Sequence, residues 1–305
     1  MHQVKMIIFL FITGILLAND AKINGLTFFE YKADAFELSR TYFTYSQNVD
    51  EAFSYKFQVD ACRENIISAI DTAFNTTSKK SALYIYIKNA NLAWKTFGGT
   101  LTMGMQGMNM FGTQEKNWGY RFIEKSPMDL YKYSSSADMG ISYASSLSMF
   151  HYSVMISNGG GYKSPETNNY KKTSVNITFG SAKLGNDNCY NAGLVYSHEP
   201  TAIDPTTVTG GFGAYQINGL RVGAEFESES NGNEKTTLMV FYGKYTLGTL
   251  DIFGRFDGYE KDQGIWAGFV YHPHKSLSIA PTMRYSKPDG DDDTTVYTVN
   301  FQFSI

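Results

Sequence analysis

The densest run of chemically capable side chains in the sequence is "FGTQEKNWGYRFIEKSPMDLYKYSSS", residues 111–136. Lys116, Arg121, Lys125 and Lys132 alternate there with Glu115, Glu124 and Asp129, and Trp118, Tyr120, Phe122, Tyr131 and Tyr133 lie between them. On a solvated surface such charges simply pair with one another. Set across a narrow watery passage from charges of the other sign, they would make a transverse field that sorts solutes by size and sign. The rings allow another use, a stacking path for sugars. Facing charges are available at mid-segment positions elsewhere: Arg221, Arg255 and Arg284 of one sign, Glu225, Asp251 and Asp257 of the other. With both signs on both sides, ion preference stays open.

Sharper motifs are few. His151 and Ser153 stand two apart on one extended stretch, as in outer-membrane phospholipases, so a lipolytic dyad is an enzymatic alternative. Such a site must face lipid, whereas Phe150, Tyr152, Val154 and Ile156 form the apolar face and leave His151 and Ser153 on the other. The run "PDGDDD" at 288–293 offers carboxylates to a hard cation, but Asn300 stands where an EF-hand counted from Asp289 needs its closing glutamate. It reads as a solvated loop that cations bridge to anionic surface glycolipid. "GGGYK" at 159–163 lacks the spacing and following helix of a phosphate loop, and Asn75-Thr76-Thr77 and Asn176-Ile177-Thr178 match a glycosylation acceptor by pattern alone. The expectation is a protein without enzymatic activity, cofactor or metal.

The segments that position these residues are of one kind. In "AFSYKFQVDA", Phe53, Tyr55, Phe57, Val59 and Ala61 share one face, with Ser54, Lys56, Gln58 and Asp60 on the other. Leu220, Val222, Ala224 and Phe226 oppose Arg221, Gly223, Glu225 and Glu227; Leu250, Ile252, Gly254 and Phe256 oppose Asp251, Phe253, Arg255 and Asp257; Leu277, Ile279, Pro281, Met283 and Tyr285 oppose Ser278, Ala280, Thr282 and Arg284. Period two marks a strand with one apolar face. These strands run to about ten residues, the length that crosses a bilayer at a tilt, where sandwich strands are usually nearer five or six.

Strands are predicted at 22–31, 36–46, 52–62, 82–94, 99–109, 137–145, 148–157, 172–181, 191–198, 207–217, 219–228, 235–246, 249–258, 264–272, 276–286 and 294–305, an even set of about sixteen. Their connections sort by parity: short turns such as "KTFGG", "ING" and "LGT" on one side, with one longer case at "AKLGNDNC", and longer loops on the other. A net charge of −3 gives no reason to expect nucleic acid. The 22 Tyr and 22 Phe imply a large apolar surface to serve, and Cys62 and Cys189 are read as free thiols. At the N-terminus, "MHQVK" followed by the apolar run Met6–Ala18 reads as a secretory leader over 1–18, cut after Ala18, with the barrel in 19–305.

The chain ends "TTVYTVNFQFSI", with Tyr297, Val299, Phe301, Phe303 and Ile305 on one face. A closed barrel explains such an end, because the last strand bonds to the first and no edge is left. The segment resembles the C-terminal targeting signal of bacterial outer-membrane proteins, with Ile305 in place of the usual terminal aromatic. Together with "FELSRTYFTY" and "KNANLAWKTFGGTLTMGMQGM" it makes residues 19–305 similar to a bacterial porin. The resemblance implies a passive channel for small hydrophilic solutes and ions in the outer membrane, with lipid and surface glycolipid around it and a homotrimer as its assembly. It also implies that the third external loop, 111–136, folds into the lumen and narrows it. In "CRENIISAIDTAFN", Ile66 or Ile67, Ile70 and Phe74 have the spacing of a short amphipathic helix, for which the resemblance implies a second-loop latch onto a neighbouring subunit, with packing onto its own barrel mouth as the alternative. A barrel enzyme and a non-conducting adhesive barrel are the alternatives.

Overall fold

Period-two alternation carries through into a closed, antiparallel β-barrel. The structure, a computed structural model, describes residues 21–71, 76–185 and 188–305, and of 65–71 and 76–81 the backbone. The expected leader over 1–18 lies outside these residues. Among the described residues sixteen strands follow one another: β1 (Ala21–Lys32), β2 (Ala35–Asn48), β3 (Phe53–Asp71), β4 (Thr76–Thr96), β5 (Gly99–Gly107), β6 (Ala137–Leu147), β7 (Phe150–Ser157) and β8 (Lys172–Gly180) form the first half. The second half is β9 (Cys189–Glu199), β10 (Thr206–Ile217), β11 (Leu220–Asn231), β12 (Glu234–Leu247), β13 (Leu250–Tyr259), β14 (Asp262–His274), β15 (Leu277–Lys287) and β16 (Thr294–Ser304). Two short helices, α1 (Gly112–Trp118) and α2 (Pro127–Leu130), sit between β5 and β6.

Each strand pairs with the next, and β16 pairs with β1 from Leu26↔Ser304 to Tyr31↔Val299. Gly25 and Ile305 exchange backbone hydrogen bonds of 3.1 and 3.0 Å, so pairing continues to the final residue. The outward face is apolar: Ile85 is 70% exposed, Tyr297 74% and Phe226 55%. Outward rings pair across strands, Phe29 stacking on Phe301 at 4.4 Å and Phe53 on Trp94 at 5.8 Å. So continuous an apolar surface fits an apolar solvent. Inside, Thr298, Asn300, Asp251, Arg255 and Asp257 are buried.

Three expectations need correction. The helix over "CRENIISAIDTAFN" does not form at 63–71, which is strand: β3 runs on to Asp71 and pairs with β4 through Ile66↔Lys80 and Ile70↔Thr77. Ile66, Ile67, Ile70 and the threonines opposite are β-branched and suit a pleated ladder, and a short apolar run fits both periods. Phe74 lies outside the described residues. Strands expected at 52–62 and 82–94 are correspondingly longer. The strand expected at 99–109 stops at Gly107, because Met108 and Asn109 already turn inward with the loop.

Two register shifts decide which side chains of β2 and β4 reach the lumen. Phe28 faces Arg40 but Phe29 faces Leu38, so Ser39 is an extra residue in β2. Gln58 faces Asn89 but Val59 faces Ile87, so Lys88 is an extra residue in β4. A bulge of this kind re-aims the side chains beyond it. Phe36 points out on one side of Ser39, and Arg40 and Tyr42 point in on the other.

Candidate pore constriction

The 108–136 connection is a bent strap with little regular structure of its own. Helix α1 ends at Gly119, whose left-handed φ of 78° turns the chain, and Pro127 opens α2 where its missing N–H costs nothing. Most of the strap's partners are residues of the barrel wall far away in sequence. Asn117 and Asn191 exchange side-chain amide hydrogen bonds of 2.8 and 2.9 Å. The Tyr120 hydroxyl donates to Asp251 at 2.5 Å, and Tyr131 stacks on Tyr259 at 4.7 Å. Trp118 packs edge-on against Tyr242 and Phe253 and donates to the Glu124 carbonyl at 3.0 Å. On the other side, Phe122 meets Phe28 of β1.

Three wall arginines hold the strap by its backbone. Arg221 donates to the carbonyls of Lys116 and Asn117 at 3.2 and 3.1 Å. Arg255 donates to the Lys125 carbonyl at 2.6 Å while its other nitrogens bind Asp257 at 2.7 and 2.5 Å. Arg284 donates to the Ile123 carbonyl at 2.6 Å and lies 3.6 Å from Glu30 and 3.7 Å from Glu124. Buried charge-assisted bonds are the strong ones, so these contacts fix the strap's course. The wall residues expected to line a passage thus mostly hold the strap: Arg221, Arg255 and Asp251 contact it directly, and Glu225 is 2% exposed on β11, against which α1 packs. Arg284 of this wall set also borders open space.

Charged groups of the strap meet the opposite wall at one point. Arg121 Nη1 is 2.9 Å from both Glu115 and Asp129, and its Nη2 is 3.3 Å from the Tyr42 hydroxyl. Burial works against this guanidinium, yet Tyr42, Glu115 and Asp129 push its pKa up, so it stays charged. Burial likewise works against the Asp129 carboxylate, but Arg121 and Lys125 outweigh it and lower its pKa. Tyr42 also takes hydrogen bonds from Arg40 at 3.1 Å and Lys88 at 3.4 Å. Arg40 pairs with the buried Asp60 at 3.3 Å, to which Tyr162 donates at 2.6 Å.

Open space lies on both sides of the strap. Toward the short turns is a cavity of about 850 Å³ reaching from Lys95 and Ser146 to Lys116 and Thr113 on the strap. Toward the long loops are two more, about 400 Å³ around Arg121, Glu124 and Arg63, and about 440 Å³ between Asp129 and Tyr162.

Arg40, Tyr42, Lys88, Asp60 and Tyr162 were not among the residues expected from the sequence. The available signal was a break in alternation: strict parity would set Arg40 on one face with Phe36 and Leu38, and Asn89 with Leu83, Ile85 and Ile87. His151 and Ser153 do point inward, but to separate partners. His151 lies 2.8 Å from Ser146 and 3.1 Å from the Gly180 carbonyl, while Ser153 takes a 3.1 Å bond from Asn109. Both cysteines are free thiols.

No protein-family model and no curated protein matches the chain. Solved structures do. OmpF of Salmonella typhi matches at a TM-score of 0.65 and 10% identity, over 93% of this chain and 97% of that one. An anion-selective porin from Comamonas acidovorans matches at 0.60 and 10%, over 93% and 99%. The trimer form of OmpT, an outer membrane protein of Vibrio cholerae, matches at 0.56 and 11%, over 94% and 100%. The chain has the fold of the bacterial outer-membrane porins.

Proposed function

We propose that the chain is a porin of a bacterial outer membrane, a passive diffusion channel for small hydrophilic solutes and ions with no catalytic role. The observation that carries this reading is a closed barrel with an apolar exterior, crossed inside by a wall-anchored strap with open cavities on either side. The constriction lies between the strap residues Arg121, Lys125 and Asp129 and the opposite wall at Arg40, Tyr42 and Lys88. Lys116 and Glu124 border cavities on the two sides of the strap. The separate partners of His151 and Ser153 weigh against a lipolytic dyad. Residues 1–18 direct export, and the trimer form of the Vibrio cholerae protein supports a homotrimer here.

Planar-bilayer recording on detergent-purified protein tests the proposal. Stepwise, ohmic conductance increments are expected, and a heat-modifiable band on gels should accompany them. A folded barrel that inserts but passes no current would refute the channel in favour of a plugged or adhesive barrel.

A further inference from the structure

The chain carries a formal charge of −3, yet its charges are not distributed evenly between protein-filled and open space. Asp60, Glu225, Glu227, Asp251 and Asp257 point into the barrel, and each is at most 3% exposed. They are occupied within the protein or covered: Asp60 by Arg40 and Tyr162, Asp251 by Tyr120 and Lys244, Asp257 by Arg255, and the two glutamates on β11 in the wall against which α1 packs. The open cavities have the reverse balance. Six basic and three acidic side chains line the one around Arg121, four basic and one acidic the one beside Tyr162, and two basic and no acidic the one toward the short turns.

The excess is sharpest at the narrow point. Arg40, Lys88 and Arg121 all lie within 3.4 Å of one oxygen, that of the Tyr42 side chain, which accepts from all three. Arg40 and Arg121 have carboxylate partners, but among the described residues Lys88 has none and rests instead against the faces of Tyr42 and Tyr162, at 4.9 and 5.5 Å. Lys125 adds a second cation that borders both outer cavities. We infer that the channel prefers small anions over cations, and that Lys88 and Lys125 set that preference; this deepens the channel reading and rests on it. An uncompensated charge about 8 Å from a passing ion in watery surroundings changes its occupancy roughly twofold, and more where water is displaced. The exposed acidic run Asp291–Asp293 at the outer rim acts through bulk salt and is screened.

The test is the reversal potential of the full-length channel under a potassium chloride gradient. The chloride-to-potassium permeability ratio should exceed one, and Lys88→Met and Lys125→Gln should each lower it about twofold. Lys261→Gln, which removes an exposed outer-loop cation paired with Asp289, should leave it unchanged. Two substitutions at separate sites keep the test informative if one variant fails to fold. A wild-type ratio at or below one overturns the anion preference while leaving the channel intact, and so does a ratio that neither Lys88→Met nor Lys125→Gln moves. Absence of any conductance overturns the channel reading itself.

Discussion

Arg255 is where the strap and the wall depend on each other most. Its side chain and that of Asp257 are both 0% exposed, and it spends three donors on Asp257 and the Lys125 carbonyl. It also lies between Trp118 of the strap and Trp266 of the wall, 5.2 and 4.9 Å from their rings. Arg255→Met keeps the bulk and removes every donor. Leaving one partner of a buried ion pair behind costs about 3–5 kcal/mol, and the orphaned carbonyl adds about 1–3 kcal/mol, much of it released if the strap leaves the wall. The folded barrel should therefore persist with a loosened strap. Three readouts would report the loosening: a lower unfolding midpoint in detergent, noisier single-channel current, and trypsin cleavage at Arg121 or Lys125, which the wild type resists. Adding Asp257→Asn removes the stranded charge and should recover part of the midpoint. If Arg255→Met leaves the strap as resistant to trypsin as before, or the double variant is less stable than the single, the anchor has been misassigned.

Arg121→Glu would gather three carboxylates where one guanidinium now joins Glu115 and Asp129, so the reversal potential should move toward cations, and the shift should shrink at high salt; Asp292→Lys at the outer rim should do much less. Burial pushes the phenols of Tyr120, Tyr131 and Tyr133 above their ordinary range, reinforced for Tyr120 by Asp251 and for Tyr131 by Asp257. The folded chain then holds more protons than the unfolded chain once pH passes about 10, so stability is expected to fall above that pH and not below it, as denaturant midpoints across pH 8–12 would show. Deleting Ser39 removes the β2 bulge and sets Leu38 beside Arg40, so strict alternation by itself keeps Leu38 opposite Phe29 on the outer face and Arg40 opposite Phe28 on the inner one. The heat-modifiable folded band should therefore persist, and its loss would show that the bulge is needed for more than exchanging faces.

Alternation was enough to find sixteen strands and closure, because each strand carries its own solvent contrast on its two faces. It was not enough for residues 63–71 and 76–81, where apolar spacing suits a helix turn and β-branching suits a ladder, and only pairing with the neighbouring strand decides. The strap shows a similar division. Its chemistry is concentrated in 26 consecutive residues and is visible in the sequence, but the partners that give each side chain its role are not. Tyr120 and Asp251 stand 131 positions apart, and Arg284 and Ile123 stand 161 apart. Which wall charges hold the strap and which face water depends on barrel circumference and strap course, neither of which is encoded locally.

The two bulges, by contrast, leave a local trace. Strict alternation through β2 would align Phe36, Leu38, Arg40 and Tyr42, and through β4 it would align Ile85, Ile87, Asn89 and Asn91. Each row begins apolar and ends polar, so no single face suits both halves when one side meets lipid and the other water. One inserted residue resolves the conflict by exchanging faces partway along the strand. In β2 the insertion is the small Ser39, and its effect is to bring Arg40 and Tyr42 inside. In β4 the inserted residue is itself the cation, so that Lys88 and Asn89 both reach the lumen. The bulged strands flank β3, which supplies Asp60 between them. The charge facing Arg121 across the lumen therefore follows from two single-residue insertions on the strands either side of β3, and net composition, which is acidic, would have given the opposite sign.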